Sequence, residues 1–135
     1  MEESVSSAFQ LFLLEHNLEC SLIFSDDPYD DDPQTHVEDL LGFYDPVNNV
    51  IVLRIKAITD RYLLNKRFAR VVTDLEDAII SVLEHEIVHL IIYKKNVVSF
   101  DENDKYDGHD FSFCWLANNI FGHNPDQGYQ TRMIV

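Results

Sequence analysis

The residues between Thr73 and Asn96 constrain the fold more than any other part of the sequence, because helix signals enclose an almost continuous apolar stretch. Thr73 and Glu76 match a T-x-x-E capping box, and the Lys-Lys-Asn run at 94–96 suits a helix C-terminus. The apolar residues between these ends cover a wide arc of the helix: Ala78, Ile79, Val82, Leu83, Ile87, Leu90 and Ile91. So wide an apolar surface is typical of a domain interior, so the sequence predicts a buried helix here.

Shorter elements precede and follow this helix. In chain order, the sequence predicts a helix over residues 4–17 closed by Asn17, a strand over 19–25, strands over 42–44 and 50–53, a short helix over 58–68, and a last helix over 110–121 stopped by Gly122. Pro and Asn residues between the second and third strands supply turn chemistry. We therefore expect an α+β fold with a small antiparallel sheet packed on helices.

The size and composition of the chain suit one packed domain. A length of 135 residues leaves little room for a second core, and 46% hydrophobic residues are enough to build one interior. No apolar run approaches the roughly 20 residues of a membrane-spanning helix, and the N-terminus lacks the basic start of a secretory signal. We expect a single domain over residues 1–135 in an intracellular protein, cytoplasmic or nuclear, that does not contact a membrane.

The two cysteines, Cys20 and Cys114, predict no disulfide framework. Neither belongs to a C-x-x-C pair, and each has apolar neighbours in the sequence. We expect buried, inert thiols in a reducing compartment.

The net charge of −14 limits the partners that the chain can bind. An acidic surface repels phosphate backbones, so the chain alone is not expected to bind DNA or RNA directly. Much of the excess lies in an acidic stretch at residues 26–39, which contains no Lys or Arg. This stretch lacks the glycine and spaced ligands of an EF-hand loop, which disfavours a calcium site. A solvated loop is the favoured interpretation, and a docking surface for a basic partner is the alternative.

The predicted buried helix contains an H-E-x-x-H motif formed by His85, Glu86 and His89. Two His residues four positions apart lie on one helix face, so both imidazoles can reach one tetrahedral Zn²⁺. Glu86 points away by about a quarter-turn, which places its carboxyl beside the metal as a general base. Buried ionisable groups are costly unless they are paired or ligated. The alternative is a pair of hydrogen-bonded core histidines, with Glu86 in a salt bridge or at the surface.

A catalytic zinc usually takes a third protein ligand. The extended H-E-x-x-H-x-x-G-x-x-H motif is not present, because Ile92 and Lys95 occupy its Gly and His positions. The third ligand must therefore come from further along the chain. His109 is the best candidate, and Asp107 and Asp110 compete with it as carboxylate ligands or serve as a plain helix N-cap. The remaining histidines are expected to be ordinary residues: His16, His36 and His123.

Two motifs together resemble the SprT-like metallopeptidases, a group that includes the Spartan proteases, which degrade proteins crosslinked to DNA. The first motif is H-E-I-V-H-L at residues 85–90, and the second is G-H-D-F-S-F at residues 108–113. The family pattern is H-E-x-x-H followed by a G-H-G-x-x-F-type segment that opens the next helix. The resemblance is firm over residues 74–121 and loose over the first 70. Asp110 departs from the pattern, which usually has Gly there, and no cysteine-rich zinc ribbon or basic tail is present.

The resemblance implies a zincin-like fold and a set of residue roles. Carried over position by position, it implies that His85, His89 and His109 bind zinc and that Glu86 is the general base. It also implies that Phe113 is the packing residue that seats the third-ligand segment. The expected function is zinc-dependent cleavage of peptide bonds, with basic or DNA-associated proteins as substrates.

A rival hypothesis from another class is an acidic binding protein that mimics nucleic acid and keeps zinc only for structure. A structural zinc would need a fourth protein ligand, for which Cys114 is the available thiol. Phe111, Cys114 and Trp115 stand at helical spacing, however, and are better interpreted as a core stripe. The intact Glu86 also favours catalysis, because a structural site needs no base.

Overall fold

Seven elements form the part of the chain described by a computed structural model, which covers residues 1–25, 41–96 and 111–124. In order they are α1 (Glu2–Glu15), β1 (Ser21–Ser25), β2 (Gly42–Asp45), β3 (Val50–Arg54), α2 (Ile55–Leu63), α3 (Leu75–Lys94) and α4 (Phe111–Phe121). This is the predicted α+β class. Several predictions concern residues outside the described ranges, namely the acidic stretch at 26–39, His36, Asp107, His109 and Asp110.

The three strands form a mixed sheet, which corrects the predicted antiparallel one. β3 is central, and it pairs with β1 in parallel and with β2 antiparallel. The β2–β3 connection is a short turn, so these strands form the predicted hairpin. A parallel pair needs a long connection between its strands, and the chain between β1 and β3 is long enough because it contains β2 and the segment before it.

The hairpin turn owes its shape to Asp45 and the Asn residues that follow. A carboxylate oxygen of Asp45 accepts the backbone N–H of Val47 at 2.9 Å, and the other accepts the side-chain amide of Asn48 at 2.7 Å. Asn49 takes a left-handed backbone conformation with φ of 54°, which Asn tolerates better than most residues. The predicted turn chemistry is therefore confirmed.

The first helix packs through one apolar face, as its periodicity predicts. Val5, Phe9 and Leu13 are buried in the main core. Asn17 ends the helix in a left-handed conformation with φ of 55°, and the next N–H, from Leu18, donates back to the Leu13 carbonyl at 2.9 Å. The helix predicted over residues 58–68 is instead α2, which begins directly after β3 and ends before Asn65, another left-handed residue.

The long helix α3 runs through the interior, as predicted, but its N-cap differs from the prediction by one residue. Asp74, and not Thr73, caps the helix, and its carboxylate accepts the N–H of Asp77 at 2.8 Å. Thr73 instead donates its own N–H to the Asp77 carboxylate at 3.0 Å. Half of the helix is buried: Ala78, Ile79, Ser81, Val82, Leu83, His85, Glu86, Ile87, Val88 and Leu90.

Gly42 begins β2 where the neighbouring strand β3 leaves no room for a side chain. A Cβ at this position would stand 2.7 Å from the carbonyl oxygen of Val52 on β3, so only glycine fits. The same Cβ would be 3.5 Å from a methyl group of Val82 on α3, which is an ordinary contact. Two residues further along β2, the backbone N–H of Tyr44 donates to Glu86, one turn after Val82 on α3.

In the described residues, no helix combines the length and hydropathy that a membrane span requires.

Candidate metal centre

The two histidines of the H-E-x-x-H motif lie side by side on α3. Their ring centroids are 5.3 Å apart, and the ring planes meet at 72°. His85 is 1% exposed, whereas His89 is half-buried and lies one turn closer to the C-terminal end of the helix. The helical spacing thus brings two imidazoles to one face, which is the arrangement that two ligands of a tetrahedral metal need.

Phe113 packs against both imidazole rings. Its ring centroid lies 4.9 Å from that of His85 and 4.5 Å from that of His89. Phe113 is fully buried, and it belongs to a small apolar cluster with Ala69, Val88 and Ala117 that joins α4 to α3. This cluster brings the first turns of α4 close to the two histidines and restricts the orientation of their rings.

Glu86 is buried beside the two histidines, at 1% exposure. Burial raises the pKa of its carboxyl to about 8 from an ordinary value of 4.5, and a hydrogen bond from the backbone N–H of Tyr44 opposes this shift only in part. Its Oε2 atom has no hydrogen-bond partner within the described residues. The predicted alternative of a salt-bridged or surface Glu86 does not fit these surroundings.

The third ligand predicted for this site lies outside the described residues. His109 and its competitors Asp107 and Asp110 all fall between α3 and the beginning of α4. Within the described ranges, no group of three or more His, Cys, Asp and Glu side chains is placed to hold a metal ion. The described part of the site therefore supplies two imidazoles as candidate ligands, and Glu86 does not complete a set of three.

A second polar cluster on α3, which we call the Arg70 network, consists of Arg70, Asp77, Glu84 and His123. The Arg70 guanidinium donates two hydrogen bonds to Asp77, at 2.8 and 3.0 Å, and two to Glu84, at 2.8 and 3.4 Å. Glu84 Oε1 also lies 2.9 Å from Nε2 of His123, which is fully buried. The network thus connects the loop before α3, α3 itself and the residues after α4.

The charges of this network stabilise one another. The carboxylates beside Arg70 hold its pKa above the ordinary range, and the hydrogen bonds from Arg70 hold the pKa of Asp77 below its own. The participating side chains of Arg70, Asp77 and Glu84 are each less than a third exposed. Unlike Glu86, both carboxylates are therefore well satisfied.

Sequence reasoning missed the Arg70 network because its members are distant in the chain. Glu84 and His123 are 39 positions apart, and Arg70 precedes Glu84 by 14. No local spacing marks such a pair. His123 was expected to be an ordinary residue, yet it is one of the most buried polar groups described. His16, by contrast, stacks on Phe12 with centroids 4.2 Å apart and has no part in either cluster.

The predicted core stripe on α4 is wrong for Trp115, which is 55% exposed, whereas Cys114 is half-buried and packs against the small apolar cluster. The side chain of Phe111, the third residue of the stripe, lies outside the described part of the structure. The buried side of the helix carries Ser112, Phe113 and Ala117. The face of α4 is set by the contact of Phe113 with the two histidines, which turns Trp115 outward. Both cysteines are half-buried, so they are less buried than predicted.

Comparison with known protein families, curated proteins and solved structures gives no match for this chain. The chemistry of the site must therefore be argued from its own residues. Two adjacent imidazoles can bind a soft or borderline divalent cation, and a buried carboxyl with a raised pKa can accept and release a proton near neutral pH.

Proposed function

We propose that the protein is a zinc-dependent endopeptidase with a zincin-like, SprT-like active site, acting inside the cell. The observation that carries this proposal is the position of Glu86. Its carboxyl is buried on the helix that carries the two adjacent imidazoles, next in sequence to His85, and within the described residues one oxygen has no partner. A buried polar group left in this way is costly, and it is retained where it has a chemical task.

The ligand set of the proposed site is His85, His89 and His109. The first two supply adjacent imidazoles on one face of α3. His109 is only four residues before Phe113, and four residues span at most about 14 Å. Because Phe113 contacts both imidazole rings, a ligand so close to it in sequence is well placed to join them. Asp107 and Asp110 are the alternative third ligands.

Zinc, when bound here, would polarise the scissile carbonyl and acidify a water molecule. Glu86 has two tasks in the proposed reaction. It accepts the proton of the attacking water, and it then delivers that proton to the nitrogen of the leaving amine. The hydrogen bond from the backbone of Tyr44 holds the carboxyl in place during both steps. A raised pKa suits a group that must both accept and donate a proton near neutral pH.

The proposed substrates are basic proteins, including proteins associated with DNA. A net charge of −14 repels nucleic acid but attracts cationic polypeptides. Two versions of one unfolded polypeptide, one rich in Lys and one rich in Glu, test this point. We expect faster cleavage of the basic version, with a difference that shrinks as salt is added. Cleavage rates that depend on neither charge nor salt would refute this substrate class.

The test of the catalytic proposal is the Glu86→Gln variant. We expect it to retain zinc, since Glu86 is not a ligand, and to lose peptidase activity. Glu76→Gln, a change of the same kind in the first turn of α3, is the matched control and should remain active. Proteolysis by Glu86→Gln at the wild-type rate would contradict the assigned role.

The acidic binding protein remains the second candidate, and the net charge is the observation that favours it. This candidate predicts zinc in the wild-type protein, no cleavage of any polypeptide, and salt-sensitive binding of basic proteins that is unaffected by Glu86→Gln.

A further inference from the structure

We propose that the Arg70 network, through Glu84 and His123, positions α4 over the metal centre and thereby sets the orientation of His85 and His89. Glu84 and His123 are positioning residues in this proposal, because neither touches the predicted metal. The consequence for metal affinity rests on the proposed function, whereas the consequence for the orientation of the imidazole rings does not.

The first step of the argument is that His123 is fixed to the end of α4. Its backbone N–H donates to the Ala117 carbonyl at 3.2 Å, and its own carbonyl accepts the side-chain amide of Asn118 at 2.9 Å. Its side chain is fully buried and meets Glu84 Oε1 at 2.9 Å. Glu84 on α3 therefore contacts the residue that is hydrogen-bonded to the C-terminal end of α4.

The second step is that α4 transmits this position to the two histidines. Ala117, which accepts from His123, lies one turn beyond Phe113 on the same helix, and both side chains belong to the small apolar cluster. Phe113 in turn contacts the rings of His85 and His89. Because a helix moves as a rigid element over three turns, a shift at His123 displaces the Phe113 ring against both imidazoles.

The third step is that the loop before α3 also packs in the small apolar cluster around Phe113. Ala69 packs in the cluster beside Phe113, and its carbonyl accepts the N–H of Asn124 at 2.8 Å. The next residue, Arg70, binds Glu84 at 2.8 Å. Glu84 therefore contacts a residue next to each of the two elements that pack around Phe113.

The chain offers a matched control for Glu84. Asp77 binds the same guanidinium, lies on the same helix two turns earlier, and is similarly shielded from solvent. Its carboxylate also accepts from Thr73, just before α3, and within the described residues its hydrogen bonds reach no residue of α4. Glu84→Gln and Asp77→Asn thus each remove one charge from Arg70, and only the first weakens the connection to His123.

The experiment compares the two variants in the full chain under conditions where both are folded. NMR of the metal-free proteins measures the ring resonances of His85 and His89, which sense the Phe113 ring. Competition with a chelating dye measures Zn²⁺ affinity. We expect Glu84→Gln to move both sets of ring resonances and to weaken Zn²⁺ binding about tenfold, as changes around metal ligands do. Asp77→Asn should leave the resonances and the affinity as in the wild type.

A second pair of variants tests whether the effect of Glu84→Gln arises from the contact with His123 or from a general loosening of the fold. His123→Leu removes the contact with Glu84, whereas His123→Gln keeps a nitrogen that can donate to it. The proposal requires the Gln variant to restore the resonances that the Leu variant displaces. It is overturned if Glu84→Gln leaves the ring resonances unchanged, or if Asp77→Asn moves them equally. A wild-type protein that binds no Zn²⁺ would defeat the proposed function, while the ring resonances would still decide the positioning role.

Discussion

Glu84 and Glu86 are two residues apart on α3, yet their surroundings are opposite. The carboxylate oxygens of Glu84 bind Arg70 and His123, so its charge is compensated by the guanidinium and it has side-chain partners on two sides. Glu86 is more deeply buried and receives a hydrogen bond from the Tyr44 backbone, while within the described residues its Oε2 has no partner. Glu84 therefore stabilises the fold, whereas the burial of Glu86, with one oxygen unpartnered among the described residues, lowers the stability of the fold.

The difference shows which of two carboxyl groups on one helix is the better candidate for chemistry. Perturbed pKa values mark functional sites only in a probabilistic way, because structural ion pairs perturb them too. Here both situations occur on one helix. The pKa of Asp77 is lowered by Arg70, which signals a satisfied structural pair, whereas the pKa of Glu86 is raised by burial next to two imidazoles. Only the surroundings of Glu86 therefore indicate a site that binds a ligand.

The largest expected effect falls on catalysis at Glu86. Glu86→Gln should lower kcat on a polypeptide substrate by about 100- to 10,000-fold, the usual contribution of a general acid–base group. Its zinc content should equal that of the wild type. Steady-state kinetics with metal analysis on the same samples measures both quantities. If the variant loses activity only because it loses zinc, Glu86 is a metal ligand and not the general base. The role assigned to it in the comparison with Glu84 would then be wrong.

A smaller effect is expected on stability at the Arg70 network. Arg70→Met leaves Asp77 and Glu84 without their guanidinium, which should lower the free energy of unfolding by about 2–3 kcal/mol, somewhat less than for a fully buried pair. Urea denaturation of the metal-free protein measures it. Arg67→Met, an exposed position three residues earlier, is the control and should change stability by less than about 0.5 kcal/mol. Equal losses in the two variants would show that the network is not stabilising.

Measured per pH unit, the smallest expected effect is a pH dependence of stability in the metal-free protein. The pKa of Glu86 is about 8 in the folded state and near 4.5 when exposed, so between these values the folded state holds a proton that the unfolded state lacks. Stability should therefore fall as pH rises through this window and level off above it, by at most about 1.4 kcal/mol per pH unit. Glu86→Gln removes this contribution. The measurement is urea denaturation of both proteins in chelator from about pH 5 to about pH 9. A stability difference between them that is constant with pH would contradict the buried position of Glu86.

Local signals made α3 and its histidine pair predictable. The apolar arc and the four-residue spacing depend only on helical geometry, so the buried helix and the adjacent imidazoles follow from the sequence. The N-cap was misplaced by one residue because Thr73 and Asp74 are both good caps. In the structure the Asp74 carboxylate accepts the N–H of Asp77, and the Thr73 N–H donates to the Asp77 carboxylate.

The parts that could not be predicted depend on contacts between distant residues. Predicting the parallel pairing of β1 with β3 would require knowing the path of the chain between the two strands. The orientation of α4 depends on Phe113 reaching the histidines, and the period of α4 alone favoured Trp115 as core. Glu84 and His123 carry no motif, and their pairing is visible only once α3 and α4 have packed.

The zinc content of the purified wild-type protein tests the central claim most directly. Elemental mass spectrometry after dialysis against metal-free buffer should find close to one zinc per chain, and the variants His85→Ala and His89→Ala should retain almost none. Glu84→Gln should still bind zinc, with lower affinity. A folded wild-type protein that retains no zinc would contradict the account, because His85, His89 and Glu86 would then form a buried polar cluster without a metal to satisfy it.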